Sequence, residues 1–496
     1  MGQSSERSVL IVSSVLFAWS AYWRLKALAK EKRDIACCTT STPRQAEIAE
    51  GSKVSSRCVR ALAPAVPYLE AFLKGLSYQC DPIHAPDGYI PFCMAENKLA
   101  IDLLAERLMN SATAAFSDSV VYCYNSFLGI PLARQAAAYF IAKRFYKPNQ
   151  PNLTPEEALL AINPQHIGIG PGAAAILHSL FYLLGEANDA CLIPSPYYAA
   201  FENDMSIVAG IVPFAIQMAN PTLGPTEKEL DLGFMQARSR GLNPRFVLIT
   251  NPNNPLGIIY KPNVIANLIK WARRRNLHTI MDELYALSTH KKKDHGFQSV
   301  IQILDNQLGN DVHFVWSLSK DFGASGLRVG FVYSQNSTYI QGLANLNIFS
   351  GVSNPIQMVV SELLTDDSFV EDYLDASRDR LRESYLICVE KLEEMVLPFI
   401  PAEAGMFVYV DFSSLLPEKT MEWEGKLSQL LVDYARLILT PGQSQQERMP
   451  GMFRLCYAWV SPAVLSIGME RLSRIVAKIR RMDWDDLNEV TLSGVF

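Results

Sequence analysis

SLSKDFGASGLRVG, residues 317–330, is the stretch on which the reading of this 496-residue chain turns. An apolar run, HFVW at 313–316, leads into it, and another, VGFVY at 329–333, leads out. Short runs that are apolar throughout suit strands of a sheet covered on both faces. Ligands of such open α/β sheets sit at the carboxyl ends of the strands. Here one strand end delivers an amine (Lys320), two hydroxyls (Ser317 and Ser319) and a guanidinium (Arg328). A lysine amine can condense with an aldehyde. Hydroxyls and a guanidinium can bind a phosphate dianion. Taken alone, Lys320 reads as an ordinary surface charge, so the neighbouring strand ends decide the matter.

Four further stretches have the same form. FVLI (246–249) runs into TNPNNPLG (250–257), HTIM (278–281) into DELY (282–285), and ACLI (190–193) into PSPYY (194–198). IGIGPG (167–172) opens a helix-like run at Ala173 and Ala174, whose free N–H groups and helix dipole suit an anion. Longer helix-like stretches such as VIANLIKWARRR (264–275) separate several of the runs. This alternation predicts an α/β chain with a mainly parallel sheet. The last third reads differently: a long helix over about 369–395, a strand over 405–412 and a closing helix over 462–481. That predicts a smaller α+β C-terminal domain. An aspartate beside a ring nitrogen keeps it protonated, so Asp282 with Lys320 is a pyridoxal phosphate pairing.

Composition narrows the classes. The net charge of -5 argues against a nucleic-acid surface. Nine scattered cysteines without a CxxC pair, and no HExxH, support neither a disulfide framework nor a metal site. The uncharged run VLIVSSVLFAWSAYW (9–23) is followed by Arg24, Lys26, Lys30, Lys32 and Arg33. Charge after the apolar run, not before it, predicts an uncleaved membrane anchor that keeps the following chain in the cytosol. The expected organisation is an anchor-like segment at 1–33, a tether at 34–60, an N-terminal arm with the large domain at 61–355 and the small domain at 356–496.

On these motifs the chain resembles the class I/II aminotransferases of fold type I, and within them the 1-aminocyclopropane-1-carboxylate (ACC) synthase subgroup. The likeness runs from about 81 to 474 and includes MAEN (94–97) and FRLC (453–456). It implies a large domain on a seven-stranded-type sheet and a homodimer with shared active sites. It implies pyridoxal phosphate held by Lys320 as an internal aldimine, with Lys320 also moving the Cα proton. Asp282 would pair with the ring nitrogen, Asn254 and Tyr285 with the phenolic oxygen, and Tyr198 would stack on the ring. Ser317, Ser319, Arg328 and the Ala173–Ala174 backbone would hold the phosphate. Arg454 would fork onto the substrate carboxylate, with Glu96 and Asn254 beside the substrate. Relatives carry Tyr-His-Gly-Leu-Pro where this chain has FLGIP (127–131), so a hydroxyl that reaches the neighbouring subunit's phosphate is missing.

The implied activity is conversion of an L-α-amino acid through an external aldimine and a quinonoid. Aminotransferase-type chemistry in a specialised, secondary-metabolite pathway is favoured over a C–S or ACC-synthase-like lyase. A non-catalytic scaffold is argued against by the intact Lys320, Asp282 and Arg328. A DNA-binding regulator would need a basic module that 34–80 does not supply.

Overall fold

The computed structural model describes residues 53–62, 68–150, 152–291, 296–481 and 484. The apolar run at 9–23 and most of the tether lie outside these residues. Among the described residues no helix is long and apolar enough to cross a membrane. The part of the tether that is described carries a short helix, Ser56–Ala61.

Seven strands form one sheet: β1 (Ile167–Gly170), β2 (Asp189–Ser195), β3 (Val212–Gln217), β4 (Asn243–Thr250), β5 (His278–Asp282), β6 (Val312–Ser317) and β7 (Gly330–Ser334). Their order is β1-β7-β6-β5-β4-β2-β3. β7 runs antiparallel to both of its neighbours, and every other pairing is parallel. Six strands therefore point the same way, and their carboxyl ends share one edge with the start of β7. Residues 246–249, 279–282 and all of β6 are buried, as strands covered on both faces must be.

The covering helices are written into the sequence. Helix Glu227–Ser239 begins at a capping box: the Thr226 hydroxyl accepts from the Glu229 N–H, and the Glu229 carboxylate accepts from the Thr226 N–H. Helix Pro262–Arg274 opens on proline and buries Ile265, Leu268, Ile269 and Ala272, a stripe at helical spacing. Helix Ala173–Leu184 starts directly after the β1 turn, with Gly172 at φ 91°.

A second sheet, entirely antiparallel, has the order β10-β11-β9-β8, from β8 (Phe399–Ile400), β9 (Phe407–Asp411), β10 (Thr440–Pro441) and β11 (Met452–Cys456). Helices Asp367–Glu394, Met421–Tyr434 and Pro462–Ile479 accompany it. The segment before Glu96 joins this C-terminal part. Ile90 donates to Arg436 O and accepts from Ile438 N, and Cys456 N donates to Phe92 O. That pairing carries residues 93–98 to the edge where the carboxyl ends of the large sheet meet.

Candidate active site

Strand register places the floor. Thr250 pairs with Asp282 across β4 and β5, Asp282 with Val315 across β5 and β6, and Ser317 with Gly330 across β6 and β7. Three of the candidate stretches thereby become neighbours at one edge. The Asp282 carboxylate is buried and accepts from the Thr250 hydroxyl at 3.0 Å and from Leu284 N–H at 3.3 Å. Burial pushes its pKa up to about 6. A protonated ring nitrogen would supply the positive partner that such a carboxyl lacks. Asn254 donates to the Tyr285 hydroxyl at 3.2 Å, and burial holds that phenol well above its ordinary range.

Lys320 stands above them, its Nζ donating to Ala95 O at 2.6 Å. Burial, followed by the Arg454 guanidinium, pushes the amine down to about 8. A larger neutral fraction near physiological pH suits both bonding to a carbonyl carbon and proton transfer. Tyr198 is half-buried near by, edge-on to Phe201 at 5.3 Å.

The anion cradle assembles at the sheet edge. Gly330 packs so tightly on the β1 turn that an added Cβ would lie 2.5 Å from the Gly172 carbonyl carbon. Arg328 adopts the left-handed conformation and donates to Pro171 O and Ser325 O, both at 3.0 Å. A Cβ on Gly172 would fall 2.5 Å from that guanidinium, and its φ of 91° is one that glycine adopts without strain. Ser317 caps the lysine turn by accepting from Ser319 N–H at 3.2 Å, which leaves its proton for an anion. With the helix N-terminus at Ala173 these donors match a phosphate dianion.

Arg454, on β11, is 1% exposed. It donates to Asn254 Oδ1 at 2.9 Å, Cys93 O at 2.5 Å and Thr440 Oγ1 at 3.2 Å, while its buried Nε has no partner. An orphaned buried donor on a guanidinium costs free energy unless an acceptor arrives, and a carboxylate is the acceptor whose shape fits. Glu96 lies alongside, accepting from the Ser325 hydroxyl and from Trp459 Nε1.

Several supporting residues went unread in the sequence. Thr250, Ser325, Thr440 and Trp459 each bond a site residue directly. Asp321, 1% exposed, accepts from Ser288 Oγ, Trp316 Nε1 and Leu287 N, and so ties the lysine turn to the loop after Tyr285. Its position directly after Lys320, in a buried turn, was the available signal. Phe127 O accepts from Asn347 Nδ2, the Tyr122 hydroxyl donates to Phe116 O, and Tyr124 is 95% exposed.

A buried lysine, a buried aspartate and a set of anion donors at one edge of the large sheet, with Arg454 brought to Asn254 from β11, fit pyridoxal phosphate. The family model for aminotransferase class I and II matches residues 94–472, and the chain belongs to that family. It is a pyridoxal-phosphate-dependent enzyme. Among curated proteins it is similar to 1-aminocyclopropane-1-carboxylate synthase 1 of Oryza sativa subsp. indica, 31% identical over 416 residues, 80% of this chain and 82% of that one. It is likewise similar to 1-aminocyclopropane-1-carboxylate synthase 8 of Arabidopsis thaliana, 32% identical over 413 residues, 80% of this chain and 85% of that one. Among solved structures it shares its fold with the aspartate aminotransferase from Thermus thermophilus with maleate (TM-score 0.70, 19% identity, 86% of this chain and 100% of that one). The aspartate aminotransferase from Rhizobium meliloti matches equally well (TM-score 0.71, 19% identity, 87% and 100%).

Proposed function

We propose that the enzyme removes the Cα proton of an L-α-amino acid and that transamination is its main outcome. The observation carrying the Cα chemistry, which both outcomes share, is that one short segment touches both groups an α-amino acid needs. Cys93 O accepts from Arg454, and Ala95 O accepts from Lys320. The α-carboxylate on Arg454 and the Cα beside Lys320 Nζ are then held in one orientation. Bound pyridoxal phosphate supplies the electron sink that makes the Cα proton acidic. Asp282 holds the proton on the ring nitrogen, Lys320 Nζ moves the proton at Cα, and Asn254 with Tyr285 fixes the phenolic oxygen. Ser317, Arg328 and the Ala173 N-terminus anchor the phosphate.

A second reading is a lyase on a sulfur-containing amino acid, in keeping with relatives named as ACC synthases. The holoenzyme incubated with a panel of amino acids and cysteine conjugates separates the two. Keto acid formed in step with amino transfer to an added keto acid supports transamination. Ammonia with thiol, or ring-closed product without keto acid, supports the lyase.

The working unit we propose is a homodimer. Its support is the apolar surface of Tyr122, Tyr124, Phe127, Ile348 and Phe349, exposed in this single chain. Sedimentation at micromolar concentration tests it, and a monomer contradicts it. The run at 9–23 and the basic residues after it support a tether that leaves the enzyme on the cytosolic side. Deleting residues 1–33 should release the protein from membranes with activity intact.

A further inference from the structure

We propose that Trp459 is a specificity-determining residue whose indole walls off the space for the substrate side chain and restricts the enzyme to compact amino acids. The inference rests on the reading of the site as an amino-acid site. Arg454 and Lys320 fix the α-carboxylate and the Cα. In the proposed pose the third substituent projects past the segment that touches both, residues 93–96. The first side chain beyond the Ala95 carbonyl is Glu96, and it cannot swing away. The Ser325 hydroxyl donates to its Oε1, and Trp459 Nε1 donates to its Oε2 at 3.2 Å.

Trp459 is itself held at its Nε1, at one edge and on one face. It is 6% exposed. Lys98 places its ammonium 3.4 Å from the centroid of the indole face. Phe72, from helix Tyr68–Ser77, meets it edge-on at 6.1 Å. The backbone is pinned as well, since Lys98 N donates to Ala458 O at 2.9 Å. Gly323, at φ 60°, lets this assembly approach the lysine turn: a Cβ there would lie 2.2 Å from Asn97 O. A rigid aromatic surface, hydrogen-bonded at its edge and covered by a cation on its face, limits size rather than adapting to it.

The test uses holoenzyme and follows cofactor absorbance while L-alanine and L-phenylalanine are titrated in, with kcat/KM measured wherever turnover occurs. In Trp459→Ala the ratio of dissociation constants, phenylalanine to alanine, should fall by roughly tenfold or more, as opening a pocket wall does. Trp459→Phe, which keeps the ring, should stay within about threefold of wild type, the residual change reflecting one lost hydrogen bond. If the alanine variant does not fold, Trp459→Leu carries the same expectation at smaller amplitude. A ratio unchanged in a folded Ala or Leu variant, or both amino acids weakened equally, overturns the inference and leaves the amino-acid reading standing. A wild-type enzyme whose absorbance responds to neither these two nor any other amino acid overturns the amino-acid reading, and this inference with it.

Discussion

The floor of the site and its side wall are built in different ways. Asp282 ends β5, and Asn254, Tyr285 and Lys320 follow within four residues of the ends of β4, β5 and β6, whose register brings those ends together. Glu96 and Trp459 meet although 363 residues separate them, and Arg454 reaches Cys93 across 361. The floor follows from sheet topology, which tolerates little change. The wall depends on a segment from one end of the chain docking on a strand from the other. Chemistry common to a family belongs on the first, and the choice of substrate belongs on the second. The comparison therefore predicts that floor substitutions lower turnover for every amino acid, whereas wall substitutions reorder preferences among them.

The largest effect should come from Lys320. Its replacement by alanine removes the amine proposed to hold the cofactor and to move the Cα proton, and kcat should fall roughly 1,000-fold or more. Steady-state turnover checks this, and a loss under about tenfold would place the proton-moving group elsewhere. Asp282→Asn comes next. It keeps the hydrogen bond from Thr250 but removes the charge proposed to keep the ring nitrogen protonated. A lost charge in a dry site is worth roughly 100- to 1,000-fold in kcat. Equal losses across substrates would sharpen the contrast with the wall, and near-normal turnover would break it.

Arg454→Lys lies at the junction of the two regions. It keeps the charge but loses the two-pronged fork, so kcat/KM should fall roughly tenfold or more. An unchanged value would mean that the carboxylate binds elsewhere.

The smallest effect concerns stability beneath the floor. Glu283 is buried, accepts from Val300 N–H at 2.7 Å and leaves its Oε2 unpartnered. Burial pushes its carboxyl up to about 8 from the usual 4.5. A folded pKa above the unfolded one means that the protonated form is favoured by folding. This contribution is full below the unfolded value and is lost as pH rises through about 8. The Tm should therefore decline from pH 6 to pH 8.5, and Glu283→Gln should flatten that decline. A slope unchanged in the variant would assign it to other groups, such as Asp321, which burial pushes up to about 7.

The same contrast explains how much the sequence discloses. The apolar runs at 190–193, 246–249, 278–281 and 313–316 fall within β2, β4, β5 and β6, because strands covered on both faces have a continuous apolar signature. The long helix expected over about 369–395 is Asp367–Glu394. β3 carries no such signature, since it is a half-exposed edge strand of sequence VPFAIQ. β1 is four residues of alternating glycine and isoleucine, legible only as the lead into the helix at Ala173. Its partner β7 was legible as a strand, though its antiparallel direction was not, because direction lies in the connection and not in the run. In the site, residues inside strand-end motifs were legible. Thr250, Asp321, Ser325 and Trp459 support them through contacts that no local spacing encodes.

The central claim is that Lys320 is the amine that holds pyridoxal phosphate on this floor. Reduction of the holoenzyme with borohydride, followed by proteolysis and mass spectrometry, tests it most directly. The account predicts a pyridoxyl-phosphate adduct on Lys320, within SLSKDFGASGLR, and its absence from Lys320→Ala. An adduct on any other lysine, or none in a protein that retains stoichiometric cofactor, would contradict it.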